Sequence, residues 1–260
     1  MAELLHALRS LLSGRKSQGH VGLVGSTGAE RRQRATTVQS GAARAAVLGI
    51  NDGLVTNTSL ILGMVGATAT PEVVQLAGFA SLVAGAGSMA VGEYISMRAQ
   101  VELFERLLVE EREAIHADPE RERSVLQAAM QRHGFDQAMV SQATRELFHD
   151  PERALTVYSR AVLGVNPEGL GSPWAAASSS LVTFALGALV PLVPWCITTG
   201  FNATLTSLAL AGGAAVVIGG VLGKLTGGRW MRSAIRQLLV VALASGITFL
   251  VSKLFDTAVF

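Results

Sequence analysis

Past a polar start, the chain alternates long apolar runs with short joins, and one extended polar stretch interrupts the pattern near its middle. A helix needs about 20 apolar residues to cross roughly 30 Å of hydrocarbon at about 1.5 Å per residue. Five segments come near that length, at about 43–68, 73–98, 174–196, 202–223 and 233–254. In the fifth only Gln237 to Ser252 is free of charge, so Arg236 and Lys253 must reach toward the headgroups. The polar stretch of about 70 residues predicts helices near 99–116, 119–133, 136–149 and 151–163. Apolar residues recur there at helical spacing in Val125, Ala128 and Ala129, and again in Ala154, Leu155 and Tyr158. Breaks fall at Asp118-Pro119, His133-Gly134 and Asp150-Pro151. None separates the second span from the first insert helix, which predicts one long helix leaving the membrane.

The fold class is therefore an all-α membrane protein with five transmembrane helices and a cytoplasmic helical insert between helices 2 and 3. Four regions follow: a basic cytoplasmic tail (1–41), transmembrane helices 1 and 2 (42–98), an acidic, metal-binding-like helical domain (99–170) and transmembrane helices 3 to 5 (171–260).

Charge refines this picture. Half of the 260 residues are hydrophobic and only 15% are charged, which excludes an ordinary soluble domain. Thirteen of the nineteen acids lie between Glu102 and Glu168, while Gly169 to Gly223 holds no charged side chain. The net charge of +2 thus averages unlike regions. No basic stripe interleaves with aromatics, so a nucleic-acid partner is not expected. Lys and Arg stay preferentially on the cytoplasmic side. Arg31, Arg32, Arg34 and Arg44 precede the first span, and Lys224, Arg229, Arg232 and Arg236 join the last two. The other two joins, Ala69 to Glu72 and Ile197 to Phe201, have no basic residue. The N-terminus and insert should then be cytoplasmic and the C-terminus outside. The amphipathic piece Leu4 to Leu12 lacks a long apolar core and reads as part of a polar tail, not a cleaved signal. The single cysteine, Cys196, has no partner for a disulfide and reads as a packing residue.

Two spans carry acids at plausible membrane depth. Asp52 lies in Gly49-Ile50-Asn51-Asp52-Gly53, with Thr56 and Ser59 on its helical face. An ionisable group there must face a partner, a cavity or an ion path, unless it sits at a helix end near the headgroups. The Gly-x-x-x-Gly around it is also consistent with simple close packing. In the second span Met89, Glu93 and Met97 recur every four residues, with Ser96 and Gln100 beside them. Carboxylate with thioether points to first-row metals such as ferrous iron, although a Met stripe also serves as core filler. The insert offers Glu102, Glu105, Glu110, Glu111, Glu113, Glu120 and Glu122, interleaved with Arg106, Arg112, Arg121 and Arg123. Pairs at i, i+3 can share a cation, but a solvated, salt-bridged surface explains the same pattern. Two Glu-x-x-His units, Glu113 to His116 and Glu146 to His149, have the form that carboxylate-bridged di-iron proteins use in pairs.

With Ala45-Ala46-Val47-Leu48-Gly49-Ile50-Asn51-Asp52-Gly53-Leu54-Val55 and Met89-Ala90-Val91-Gly92-Glu93-Tyr94-Ile95-Ser96, the chain resembles the vacuolar iron transporter family from about Gly41 onward. Leu163-Gly164 and Gly171-Ser172-Pro173-Trp174 fit the approach to span three in bacterial members. The resemblance implies a five-helix protomer, a homodimer with the ion path between protomers, and proton-coupled export of ferrous iron from the cytosol. It implies that Asp52 and Met89 line the pore and that Glu110, Glu111, Glu113 and Glu122 gather metal. The insert departs from the family pattern. Tyr158, Ser159 and Val162 stand where many relatives have methionines and a metal-binding glutamate, and Ala114 and Val125 replace two other glutamates, which leaves a reduced or shifted ligand set, with His116 a possible member, or none.

The resulting expectation is a transporter, not an enzyme, without prosthetic group, whose substrate is Fe2+, with Mn2+ or Co2+ as further candidates. Asp52, Met89 and Glu93 form the path. A carboxylate in a partly dehydrated pore binds protons more readily, so cation and proton compete for one site. Its partners are divalent ions, protons, the bilayer and a second copy. The membrane is the inner membrane in a bacterium and vacuolar-type in a eukaryote. The alternatives are a membrane-anchored di-iron enzyme using the Glu-x-x-His units and a non-transporting metal sensor.

Overall fold

A computed structural model describes residues 41–164, 166 and 170–259. The tail, including Leu4 to Leu12, lies outside the described residues apart from Gly41, as does Glu168. The described residues form eight helices and no strand: α1 (Gly41–Gly66), α2 (Pro71–Ala117), α3 (Pro119–Arg132), α4 (Gln137–Leu147), α5 (Pro151–Ala161), α6 (Pro173–Ile197), α7 (Gly200–Leu225) and α8 (Trp230–Val259). Five of them, α1, α2, α6, α7 and α8, are long and apolar enough to cross a membrane. The 47 residues of α2 span about 70 Å, more than twice what a crossing requires. The chain divides into two compact units, one of Met1–Tyr94 with Trp174–Phe260 and one of Ile95–Pro173.

In the first unit α1 is the hub. Between apolar helices surrounded by lipid, association depends on close packing and interhelical hydrogen bonds, because lipid tails remove the hydrophobic drive. Small residues supply that closeness. A Cβ added at Gly49 would meet the Thr183 hydroxyl and, at 2.7 Å, the Ser180 carbonyl; one at Gly53 would run into the Phe184 carbonyl. From the other side, Gly187 of α6 lies against the backbone of Ile50 and Leu54. The Gly-x-x-x-Gly is therefore a packing surface between α1 and α6. Apolar layers continue it: Leu54 with Ala211, Ala215 and Val241, and Ile61 with Val74, Leu192, Trp195 and Ala203.

Polar side chains add hydrogen bonds between helices to these contacts. Asn57 is fully buried and donates to the Ala188 carbonyl at 2.8 Å and to the Gly78 carbonyl at 3.4 Å, joining α1 to α6 and α2. Pro191 and Pro194 interrupt the hydrogen-bond ladder of α6, and the Ser207 hydroxyl of α7 donates to the Pro191 carbonyl at 2.5 Å. Gln75 of α2 donates to the Trp195 carbonyl at 2.6 Å, meeting an orphan acceptor of the last turn of α6. Cys196 corrects the sequence reading: it is exposed, one residue from the end of α6 and past the buried layer of Leu192 and Trp195.

In the second unit Ile115, Leu126, Leu155 and Tyr158 form a core, with Val125, Met130, Leu147 and Phe148 packed around it. Leu126 takes the inward place and Ala128 is exposed, because the buried stripe of α3 follows Glu122, Leu126 and Ala129. Ala154, Leu155 and Tyr158 are buried as their spacing predicts. Each helix start is capped by an aspartate. Asp118 accepts from the Arg121 amide, Asp136 from Ala138 and Met139, and Asp150 from Glu152 and Arg153. Three of the acids in this acidic stretch are thereby engaged in closing helix ends.

Candidate functional site

Asp52 occupies the twelfth position of the 26-residue α1, so it is not a helix-end residue. Eleven residues from Gly41 correspond to about 16 Å along the axis, near the middle of α1. Its side chain is half-buried, and the exposed Thr56 donates to Oδ1 at 3.1 Å. Ser59, placed by spacing on the same face, instead meets Ser245 of α8 at 3.4 Å. Next to Asp52, the Gln237 side-chain amide of α8 donates to Asn51 Oδ1, and Gln237 is itself buried. The sequence carries a polar pair here, but nothing in spacing alone ties span one to span five.

On α2, Met89 is half-buried against the group of Ala86, Phe184 and Ala188, while Glu93 and Met97 are buried. Ser96 and Gln100, expected beside them, are exposed. Glu93 Oε2 faces Arg44 Nη2 of α1 at 3.6 Å. That length exceeds a hydrogen bond, and the oxygen is buried without a hydrogen-bond partner. Sequence reasoning used Arg44 only to orient the chain. The missed signal was topological: in an up-and-down pair, the start of one span and the end of the next lie at the same membrane face.

Within the second unit, two of the four expected metal-gathering glutamates converge. Tyr158 Oη donates to Glu122 Oε2 at 2.6 Å in a buried contact, and Glu111 closes on the same phenol with Oε1 buried and unpaired. Burial pushes the Glu111 carboxyl above its ordinary value, opposed by the nearby Tyr158 phenol and aided by the Glu122 charge. Burial, then the hydrogen bond to Glu122, raises the Tyr158 phenol strongly, so it stays a neutral donor. Glu110 and Glu113 are exposed. Among the described residues, no three His, Cys, Asp or Glu side chains gather as a metal cluster. Much of the remaining charge is paired on the surface. Arg98 bonds Glu102 at 2.8 Å, Arg123 bonds Glu120, and Arg112 grips Glu152 at 2.9 and 3.0 Å. That grip lowers the Glu152 carboxyl and raises the Arg112 guanidinium. His116 lies near Glu152, and Glu146 with His149 lines an open groove along α4.

Five apolar helices, the first with a carboxylate well inside it, agree with a family profile that matches residues 43–253, that of the VIT family. The chain belongs to the VIT family. It is 30% identical over 215 residues to vacuolar iron transporter 1 of Oryza sativa subsp. japonica, covering 82% of this chain and 85% of that protein. Vacuolar iron transporter homolog 2 of the same species is 34% identical over 220 residues, with 82% and 90% covered. Vacuolar iron transporter 1 of Eucalyptus grandis is 28% identical over 237 residues, with 88% and 95% covered. The five spans and this membership make the chain an integral membrane protein of the VIT family.

Proposed function

We propose that this protein carries ferrous iron, with manganese or cobalt as further substrates, out of the cytosol in exchange for protons. The observation that carries the reading is Asp52 at the middle of an apolar helix, half-exposed with Thr56 beside it, in a chain whose relatives are named vacuolar iron transporters. A charged group at that depth is costly against lipid and is retained where it serves an ion pathway. In this reading the outgoing ion passes Glu93, then Met89, and crosses at Asp52. Carboxylate oxygen attracts the divalent charge, and the thioether favours first-row transition ions over calcium or magnesium.

A second copy completes the path. The Asp52 and Thr56 face is polar and incompletely covered within one protomer, so two such faces meeting across a homodimer would enclose an aqueous route. The N-terminus and the Ile95–Pro173 unit are cytoplasmic, following the basic residues at the start of α1 and between α7 and α8. In this division residues 1–41 are a tail, 42–98 and 171–260 the transport body, and 99–170 the metal-gathering insert. Glu111 and Glu122 would hold an incoming ion there, with the exposed Glu110 and Glu113 drawing it in. Tyr158 narrows that set, since its phenol already occupies one Glu122 oxygen. The membrane is the inner membrane in a bacterial cell and a vacuolar-type membrane in a eukaryotic one. No catalytic residue or prosthetic group is required, because the ion and the proton are cargo.

The test is flux in proteoliposomes holding the full chain, with Fe2+, Mn2+ and Co2+ offered with and without a pH gradient. Metal accumulation driven by the gradient supports the reading. Absence of movement for all three ions, from protein that is folded and inserted, overturns it.

A further inference from the structure

Glu93 poses a question that the transport reading leaves open: what neutralises a buried carboxylate when no metal is bound. Its side chain is 10% exposed, and Oε2 has no hydrogen-bond donor. An ionised carboxylate left alone in such a place is strongly unfavourable. The facing charge is Arg44, whose side chain remains 59% exposed. The backbone that carries Arg44 is fixed, since the Ser179 hydroxyl donates to the Ala42 carbonyl at 2.9 Å and Gly49 lies against Ser180 and Thr183.

We propose that Arg44 is a tethered counter-cation for Glu93, which holds the carboxylate while the site is empty and is displaced by the incoming divalent ion. The inference rests on the transport reading and deepens it. Guanidinium does not lose its charge at any physiological pH, so it is a constant occupant. At 3.6 Å it neutralises Glu93 without a hydrogen bond, which leaves the lone pairs of Oε2 open to a metal. A divalent ion brings twice the charge and binds directly, so it outcompetes the loose pair. The exposed end of Arg44 then returns to water. Arg44 therefore sets a threshold that a metal must exceed, and it lets an empty carrier exist without a bare buried charge.

Half-saturation and maximal rate of Mn2+ flux in proteoliposomes separate this role from simple anchoring. Arg44→Ala should lower the half-saturating Mn2+ concentration by about two- to fivefold, the size of a partly exposed ion pair, with Arg44→Lys near wild type. Adding Glu93→Gln should remove the gain. An Arg44→Ala protein with unchanged or raised half-saturation, at wild-type levels of insertion, overturns the inference while wild-type flux leaves the transport reading standing. A folded, inserted wild-type protein that moves none of Fe2+, Mn2+ and Co2+ overturns the transport reading, and the inference falls with it. Arg44→Gln serves as the second variant should the alanine protein insert poorly.

Discussion

Backbone approach decides which residues of α1 tolerate change. Gly53 abuts the Phe184 carbonyl, a group that cannot move aside without shifting α6. Gly53→Ala should therefore cost about 1–3 kcal/mol, the range for overpacking, seen as a lowered unfolding temperature in detergent. Gly246 of α8 has nothing within 4 Å of an added Cβ, so Gly246→Ala should leave that temperature unchanged or slightly raised. Glu111 makes a pH prediction with a definite sign. Burial holds its folded carboxyl above the ordinary value of 4.5, so the neutral form is the one the fold favours. The contribution to stability is complete below that ordinary value and is lost as pH rises through the raised one. Unfolding of the full chain should accordingly show the second unit weakening across that interval. Glu111→Gln should flatten the dependence; an unaltered pH profile would remove Glu111 as its source.

At the scale of elements, the caps govern the second unit. Asp150 accepts from the amides of both Glu152 and Arg153 at the start of α5, the helix that carries Tyr158 to Glu122. Asp150→Ala should cost about 0.5–2 kcal/mol. Amide exchange should accelerate through α5 more than through α3, whose cap is Asp118. These boundaries were legible because Asp-Pro and His-Gly pairs constrain the backbone locally, at Asp118, His133 and Asp150. The inward face of α3 was less legible. Val125, Ala128 and Ala129 fit a helical stripe, yet the structure turns Leu126 and Glu122 inward, since a buried hydrogen bond from Tyr158 makes a glutamate an acceptable core neighbour. A periodicity argument assigns charged residues to the surface and has no means of anticipating that partner.

For the whole molecule, length and hydropathy were enough to expect five long apolar helices, because crossing a membrane imposes one length on each. Contacts between helices were not readable in the same way. Asn51 with Gln237 and Arg44 with Glu93 join residues far apart in sequence, and their pairing depends on helix rotation, which hydropathy does not encode. The proposed homodimer belongs to this scale as well. With Cys196→Ser removing the native thiol, Thr56→Cys should form a cross-linked dimer in membranes, because the exposed Thr56 lies on the face proposed to meet a second copy. A protein that stays monomeric under oxidation, with a control position on the α8 surface equally unreactive, would contradict that placement.

In the proposed cycle Asp52 is the group at which metal and proton exchange. Fe2+-dependent proton movement in proteoliposomes, compared between wild type and Asp52→Ala at matched insertion, tests it most directly. Robust movement in the wild type and none in the variant is expected; equal movement in both rules out that role for Asp52.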